Sequence, residues 1–371
     1  MREADWQRVR RFLKVVAAGA TVGAIFGAII SQGYQQSLVA ALFIGPFIGI
    51  VHGGLIATGI GGMEIFFART AWGLRLRRAS FAVTLLVKTP LYGGLVLALE
   101  YSKLGERVAH FVGFIRVVDP REIYEPLTML SIFFSFFFVV LFIEVMQINQ
   151  IMGRGTLGRF VFGYYHRPRL ENRFFLFIDL IGSTHLAETL GPLTYQRFLN
   201  GVFQAASDPI SDHQGEIYQY VGDQMVVTWT EAAGAGVRKG AGRKGAVRPL
   251  DCVFALKQTL ADLAPAYLKE YREAPAIRAA LHYGEVVVGE IGDAKRDIAF
   301  HGDVLNATAR LEGVAREYQG FFIASAVALD RLSGAGGWPS GYDYRRLGPL
   351  PLRGKSAPVE AVLVTQAAFG Q

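Results

Sequence analysis

The sequence predicts two parts of different class, an α-helical transmembrane bundle followed by an α+β domain of the ferredoxin-like type. Three observations predict this. Hydrophobic residues make up 51% of the 371 positions, which is high for a soluble chain. The long apolar stretches all lie within residues 1–146. From residue 173 to 371, short strand-like and helix-like runs alternate, and residues 147–172 form a linker between the two parts.

Four apolar stretches are long enough to cross a bilayer, which takes about 20 helical residues. They are Phe12–Ile30, Leu38–Ile60, Phe81–Leu99 and Leu127–Val145. Basic residues precede the first stretch and separate the second from the third, but the connection 31–37 has none. Since basic residues favour the cytoplasmic side, we expect a multi-pass protein of the cell inner (plasma) membrane whose N-terminus and second part are cytoplasmic. Basic residues within 101–126 argue against this topology.

Polar groups and small residues within these stretches indicate helix–helix contacts. The ionisable residues are His52, Glu64, Lys88, Glu100 and Glu144. They either sense a proton or a ligand of unknown identity, or they pair between helices or snorkel to the interface at the helix ends. Glycines repeat at a four-residue spacing that lets helices approach closely, at Gly19, Gly23 and Gly27 and at Gly45, Gly49 and Gly53. The linker is short enough to transmit a helix shift, but a passive tether has the same composition.

Charge and cysteine content exclude several classes of protein. The single cysteine, Cys252, forms no internal disulfide and no thiolate metal site, so we expect it to be buried. The net charge of +7 is compatible with nucleic-acid binding. The basic residues, however, gather beside the apolar stretches and in the insertion Val237–Arg248, which favours a lipid bilayer as partner and no nucleic acid. The insertion is either a solvated loop or a contact with anionic lipid.

The second part has the element order of a ferredoxin-like sandwich. The predicted strands are Arg173–Asp179, Gly215–Val221, Gln224–Thr230, Ala276–Tyr283 and Glu285–Glu290, with short closing strands near Phe321 and Val359. The predicted helices are Thr184–Ser207, Pro249–Glu273 and Asp303–Tyr318. Strand, helix, hairpin, helix and strand follow one another, as in a βαββαβ fold.

Two carboxylates are predicted to meet at one end of this sheet. An apolar strand ends on Asp179 and turns through Gly182, Ser183 and Thr184 into a helix, which places a carboxylate beside free backbone N–H groups. Asp223 lies in a Gly-Asp turn that is usually only a hairpin device. In a ferredoxin-like fold, this turn returns to the end of the sheet where Asp179 lies. Hard oxygen ligands at such a place suit Mg²⁺ or Mn²⁺.

A third segment adds groups suited to a nucleotide. Asn306 and Arg310 are four residues apart and therefore share one face of a helix. This face is either a solvated surface or a contact with a sugar oxygen and a phosphoryl group, for which arginine has fixed donors.

Taken together, four segments and the chain ending resemble the class III nucleotidyl cyclases, of the membrane-bound bacterial type with four transmembrane helices. The segments are Phe177-Ile-Asp-Leu-Ile-Gly-Ser-Thr184, Tyr220-Val-Gly-Asp223, Arg278-Ala-Ala-Leu-His-Tyr-Gly-Glu285, Gly302-Asp-Val-Leu-Asn-Ala-Thr-Ala-Arg-Leu-Glu312 and Leu352-Arg-Gly-Lys355. They occur in the family's order and spacing, and the resemblance covers residues 172–364. It implies conversion of ATP to cyclic AMP and pyrophosphate, by attack of the ribose 3′-oxygen on the α-phosphorus.

The resemblance also implies roles for individual residues. Asp179, Asp223 and the carbonyl of Leu180 would bind two Mg²⁺ or Mn²⁺ ions per active site. The backbone at Gly182, Ser183 and Thr184 would hold the triphosphate, with Arg353 or Lys355 at its terminal phosphates. Asn306 would orient the ribose and Arg310 would stabilise the pentavalent phosphorus. In the family, these last two come from the second subunit of a homodimer.

The chain departs from the family at the two positions that read the base. A lysine three residues before the Gly-Asp turn is replaced by Gln219, and an aspartate or threonine seven residues before Asn306 is replaced by Ala299. Glutamine donates and accepts hydrogen bonds, whereas alanine does neither. Asp297 or His301 substitutes only if the alignment shifts. ATP is favoured on family frequency, with a guanylyl or mixed-specificity cyclase and a weakly catalytic nucleotide-binding receptor as alternatives.

Overall fold

The structure, a computed structural model, describes most of the second half of the chain and parts of the first. The described residues are 3–32, 43, 45–66, 70, 72–73, 76, 81–102, 133, 136–137, 140–145, 148, 156–235, 247–294, 296–318, 320–333, 337–350 and 358–367. The chain divides into two compact units, Met1–Ile148 and Asn149–Gln371.

The first unit contains three helices with defined bounds, α1 (Glu3–Gln32), α2 (Gly45–Ile65) and α3 (Phe81–Ser102). Within the described residues, Phe12–Ile29 and Gly45–Ile65 are long and apolar enough to cross a membrane, and Val83–Leu99 is a shorter apolar helix. Most of the predicted fourth span lies outside the described residues. Residues 140–145 within it are helical, and Ile143 is buried.

The predicted helix–helix contacts of the first unit are present. A Cβ atom added to Gly23 would lie 2.0 Å from the carbonyl oxygen of Gly49, so α1 and α2 meet at a distance that only glycine permits. Between α2 and α3, Lys88 forms an ion pair with Glu64, and the Tyr92 hydroxyl donates a hydrogen bond to the same carboxylate at 2.7 Å. Interhelical pairing is therefore confirmed for Glu64 and Lys88.

The second unit contains one mixed sheet with helices on its faces. Its strands are β1 (Arg169–Leu180), β2 (Glu216–Val221), β3 (Gln224–Thr230), β4 (Ile277–Ile291), β5 (Asp297–His301), β6 (Phe322–Ser325), β7 (Tyr342–Leu350) and β8 (Val359–Gln366). Its helices are α4 (Thr156–Val161), α5 (Ser183–Leu190), α6 (Pro192–Asp212), α7 (Glu231–Gly234), α8 (Arg248–Tyr271), α9 (Asp303–Glu317) and α10 (Ala326–Ser333).

The sheet order β2-β3-β1-β4-β6-β8-β7 contains the predicted ferredoxin-like core as its first four strands. All strand pairs are antiparallel except β4 and β6. Alternate side chains of β1 point to opposite faces of the sheet. Phe174 and Leu176 pack in the large core under α6 and α8, whereas Phe175 and Phe177 pack in a smaller cluster on the other face.

Several predicted elements differ from the structure. The helix predicted over 184–207 is two helices, because Gly191 has a φ of 72° and is followed by Pro192. The two strands predicted over 276–290 are the single strand β4, and β1 begins at Arg169 rather than Arg173. Strands β5 and β7 and helix α10 were not predicted. Cys252 is buried, as expected.

A buried charged network holds the start of β1 and β2. The Arg173 side chain is fully buried and contacts Glu171 at 2.7 Å and Glu216 at 3.0 Å. Arg159 of α4 also donates to both oxygens of Glu216, and the Tyr165 hydroxyl donates to Glu171. This network fixes β2, the strand that leads to the hairpin of Asp223.

Candidate active site

The two predicted metal ligands lie together at one end of the sheet. Asp179 is the penultimate residue of β1, and its strand partner on β3 is Gln224, the residue after Asp223. Both carboxylates line the same small recess. The convergence of two carboxylates is therefore present in a single chain, as the hairpin argument predicts.

At Asp179, burial and neighbouring carboxylates outweigh the positive charge of two nearby arginines. Burial raises the pKa of its carboxyl to about 7, and the negative charges of Glu312 and Asp223 add to the effect. Arg278 and Arg316 act in the opposite direction without restoring the usual value. A divalent cation at this place would relieve the repulsion, and carboxylate oxygens are the donors that Mg²⁺ and Mn²⁺ prefer.

The carboxylates alone do not complete a metal shell. Within the residues that the structure describes, no group of three His, Cys, Asp or Glu side chains is placed to hold a metal ion. Backbone oxygen, water or substrate phosphate would have to supply the remaining ligands, as is usual for Mg²⁺. Leu180, whose carbonyl is the predicted third ligand, is the last residue of β1 and has a buried side chain.

Two arginines at this site have no role in the sequence prediction. Arg278 of β4 lies opposite Asp179, and its Nε is 3.6 Å from the carboxylate. Its Nε and Nη1 atoms are buried without a hydrogen-bond partner among the described residues. Arg316 of α9, which is 66% exposed, approaches the same carboxylate at 3.5 Å. A basic residue inside the apolar run of β4 was the available sequence signal for Arg278.

Beside the carboxylates, the turn after β1 opens helix α5. Gly182 has a φ of 73°, a left-handed conformation that favours glycine, and no side chain caps the helix. The Ile181 N–H donates to the Ala276 carbonyl at 2.8 Å, so this amide is already used. The first N–H groups of an α-helix have no carbonyl partner within the helix, so those of Ser183 and Thr184 are placed to bind an anion.

Asn306 and Arg310 do not join the carboxylates of their own chain. Both lie on α9, where Asn306 is exposed and Arg310 is half-buried. At 3.6 residues per turn, they point roughly 120° away from Glu312 and Arg316, which face Asp179. No hydrogen bond or ion pair in the described part of the chain connects Asn306 or Arg310 with Asp179 or Asp223.

The two predicted base-reading positions lie on β2 and β5, which pair with β3 and with β4 respectively. Gln219 is exposed at a bulge of β2, and Ala299 is buried on β5. The strands are joined where the Phe300 N–H donates to the Tyr218 hydroxyl at 3.4 Å. Asp297, a suggested substitute, accepts from the Ile298 N–H at 2.9 Å.

Two predictions concern basic residues that lie largely outside the described part of the chain. Arg353 and Lys355, the predicted partners of the terminal phosphates, lie outside the described residues, as do residues 236–246 of the basic insertion. Arg248, predicted as part of that insertion, instead opens α8 and donates to the Gln214 side chain and the Ala233 carbonyl. A purely solvated or lipid-bound role is therefore wrong for Arg248.

This combination of sheet, paired carboxylates and helix-borne asparagine and arginine defines a nucleotide-cyclase type of domain. Residues 166–365 match the family model of the adenylate and guanylate cyclase catalytic domain, and the chain belongs to this family.

Two curated relatives are adenylate cyclases of Rhizobium meliloti (strain 1021). Adenylate cyclase 2 is 39% identical over 190 residues, which are 51% of this chain and 50% of the relative. Adenylate cyclase 1 is 24% identical over 239 residues, 58% of this chain and 33% of the relative. The chain thus spans half or less of the length of these relatives. The solved adenylyl cyclase CyaB from P. aeruginosa is 20% identical, with a TM-score of 0.45, over 55% of this chain and 98% of that one.

Proposed function

We propose that the chain is a membrane-anchored adenylyl cyclase that converts ATP to cyclic AMP and pyrophosphate at a homodimer interface. The observation that carries the proposal is the convergence of Asp179 and Asp223 beside Arg278, whose buried Nε and Nη1 have no hydrogen-bond partner among the described residues. Negative and positive groups so close together suit a metal-bound polyphosphate, because phosphate oxygens satisfy both.

The chain's own groups bind and orient the substrate. The first amides of α5 and the Arg278 guanidinium hold the phosphates, while Asp179, Asp223 and the Leu180 carbonyl hold the metal ions. Two Mg²⁺ or Mn²⁺ ions, when bound, supply charge neutralisation at the 3′-oxygen and at the leaving pyrophosphate. The 3′-oxygen then forms a bond to the α-phosphorus, the bond to pyrophosphate breaks, and water takes the 3′-hydroxyl proton.

A second copy of the chain supplies the remaining catalytic groups. Asn306 and Arg310 point away from the carboxylates of their own chain, so they are available to another subunit's site. With Asn306 on the ribose and Arg310 on the transition-state charge, a two-fold dimer contains two equivalent sites. Positioning and charge stabilisation then provide most of the rate.

The first unit anchors this dimer in the cell inner membrane. Two candidate spans and a third apolar helix, together with the helical residues 140–145, support four spans with both the N-terminus and the catalytic domain in the cytoplasm. The division into a membrane domain (1–146), a linker (147–172) and a catalytic domain (173–371) belongs to the same proposal, as does regulation of the activity by a ligand of the membrane domain.

A second candidate, a cyclase of mixed base specificity, is favoured by the base-reading positions. Gln219 is exposed and its amide matches either adenine or guanine, whereas the buried Ala299 offers no side-chain hydrogen bond. Discrimination by these two positions alone would be weak. A site strongly rejects the wrong base only when binding of that base leaves polar groups without hydrogen-bond partners.

Product analysis with both nucleotides tests the two candidates. Full-length protein in detergent receives Mn²⁺ and either ATP or GTP, and mass spectrometry identifies the products. Cyclic AMP as the main product supports the proposal, and comparable cyclic GMP favours mixed specificity. Asp179→Asn should abolish turnover, while Asp343→Asn, at an exposed strand position, should leave it unchanged. Tight nucleotide binding without turnover under Mn²⁺ or Mg²⁺ would instead favour a receptor.

A further inference from the structure

A hydrogen bond ties the hairpin of Asp223 to helix α9. The Gln224 side-chain Nε2 donates to Glu312 Oε2 at 2.7 Å, across 88 residues of chain. Gln224 follows Asp223 directly and is the strand partner of Asp179. Since opposite residues of an antiparallel pair share one face of the sheet, the Gln224 amide lies on the face that carries the Asp179 carboxylate.

Glu312 is a buried carboxylate, and its contacts indicate its role. Its side chain is only 10% exposed, and its other oxygen lies 3.6 Å from Arg316. Its negative charge raises the pKa of Asp179, and a divalent cation would relieve this repulsion. Within the described residues, Glu312 completes no three-ligand metal group. A role in holding Gln224, rather than a metal ion, fits its contacts.

The same helix carries a catalytic residue of the proposed reaction. Glu312 lies two residues after Arg310, on a face roughly 160° away. Helix α9 therefore presents Glu312 to the carboxylates of its own chain and Arg310 to a different site.

We infer that Gln224 and Glu312 are a positioning pair. Their hydrogen bond holds the hairpin that carries the metal ligand of one active site against helix α9, which supplies Arg310 to the other active site. This inference rests on the proposed cyclase function. Neither side chain contacts substrate. The pair fixes the backbone at Asp223 and the position of α9 at the same time. Loss of the hydrogen bond therefore impairs metal binding in one site and the placement of Arg310 in the other.

A double-mutant cycle tests the pair in the full-length chain. Gln224→Leu and Glu312→Leu each remove one partner, and Mn²⁺ binding is measured by electron paramagnetic resonance with α,β-methylene ATP, at about pH 8.5 so that Asp179 is ionised. We expect each variant to weaken Mn²⁺ binding roughly 10-fold or more, as for other residues that orient metal ligands. The double variant should be no worse than either single one, because both act through the same bond.

An exchange of the two residues distinguishes positioning from mere stability. In Gln224→Glu combined with Glu312→Gln, the donor and acceptor change places and the total charge stays the same. We expect this variant to bind Mn²⁺ within about threefold of the wild type, because the side-chain amide can donate the same hydrogen bond from the other side of the pair. Gln258→Leu, which removes an exposed bond to Asp262 at 2.8 Å, serves as the matched control. Wild-type binding in the single variants, or an exchange variant as weak as they are, overturns the inference.

Mixed dimers test the link between the two sites. One subunit carries Asp179→Asn and its partner carries Arg310→Ala, so only one site has all its groups. Gln224→Leu in the Arg310→Ala subunit should raise the Mn²⁺ requirement of that site. In the Asp179→Asn subunit, it should lower kcat roughly 10-fold with the Mn²⁺ requirement unchanged, since loss of a residue that orients a functional group has an effect of that size. An unchanged kcat in the second case overturns the link.

The binding measurement keeps this inference separate from the proposed function. If the wild type forms no cyclic nucleotide, the proposed function fails, but Mn²⁺ and analogue binding still reports on the pair. If the wild type is active and the cycle shows independent, additive effects, only the positioning pair is wrong.

Discussion

Replacement of Asp179 by asparagine should stabilise the metal-free protein while it removes the activity. The carboxyl has an ordinary pKa of 3.8 in the unfolded chain, and burial beside Glu312 and Asp223 raises the pKa to about 7 in the folded one. The folded state therefore holds this proton more tightly. The stability associated with it is fully present below pH 3.8 and is lost as pH rises to about 7.

The size of the effect follows from the pKa change. Ionisation of Asp179 in both states costs the folded protein about 4 kcal/mol, at about 1.4 kcal/mol per tenfold change in proton affinity. Asparagine has nearly the same shape and does not ionise. We therefore expect the gain in unfolding free energy from Asp179→Asn to grow by about 2 kcal/mol between about pH 5.5 and pH 8.5.

Urea denaturation followed by tryptophan fluorescence measures this gain in the second unit alone. Of the four tryptophans, Trp229 and Trp338 lie in that unit, so Trp6→Phe and Trp72→Phe remove the others. Measurements are made without divalent metal, because a bound ion stabilises only the wild type. A gain that does not depend on pH, or a loss of stability at about pH 8.5, would refute the electrostatic account of the site.

Three further predictions concern the dimer, the phosphate site and the fold. Arg310→Ala and Asp223→Ala should each be inactive, but co-expression should restore about a quarter of the wild-type activity, because half of randomly mixed dimers contain one intact site; no recovery would contradict a shared site. Arg278→Met should lower kcat/KM for ATP about 100-fold, as expected for loss of a charge-stabilising group, and the exposed Arg296→Met should stay within twofold. Arg173→Met should cost about 3 kcal/mol in urea unfolding, because it removes the fully buried guanidinium that pairs with both Glu171 and Glu216; an unchanged midpoint would contradict this.

The core fold could be predicted because its signals are local. The hairpin strand Gln224–Thr230 has the predicted bounds, and helix Asp303–Glu317 differs from the prediction by one residue at its end. Alternating apolar residues and the Gly-Asp turn encode such elements within a few positions of chain. The same locality explains why Asp179 was recognised, since it ends an apolar strand before a glycine turn.

The errors arise where tertiary contacts override a local signal. Gly284 suggests the end of a strand, but it lies in the middle of β4, where a Cβ atom would be 3.2 Å from the Val304 side chain. The glycine thus leaves room for close packing of α9 and does not form a turn. The short strand β5 pairs with β4 and lacks a periodic pattern of its own.

The sequence by itself determined the family, the ferredoxin-like order of elements and the two carboxylates, because each is encoded in a short contiguous pattern. Only the tertiary structure decided which charges surround Asp179. Arg316 is 137 residues away in the chain, and Gln224 and Glu312 are separated by 88. Contacts over such distances depend on how helix α9 packs across the sheet, and no local periodicity specifies that packing.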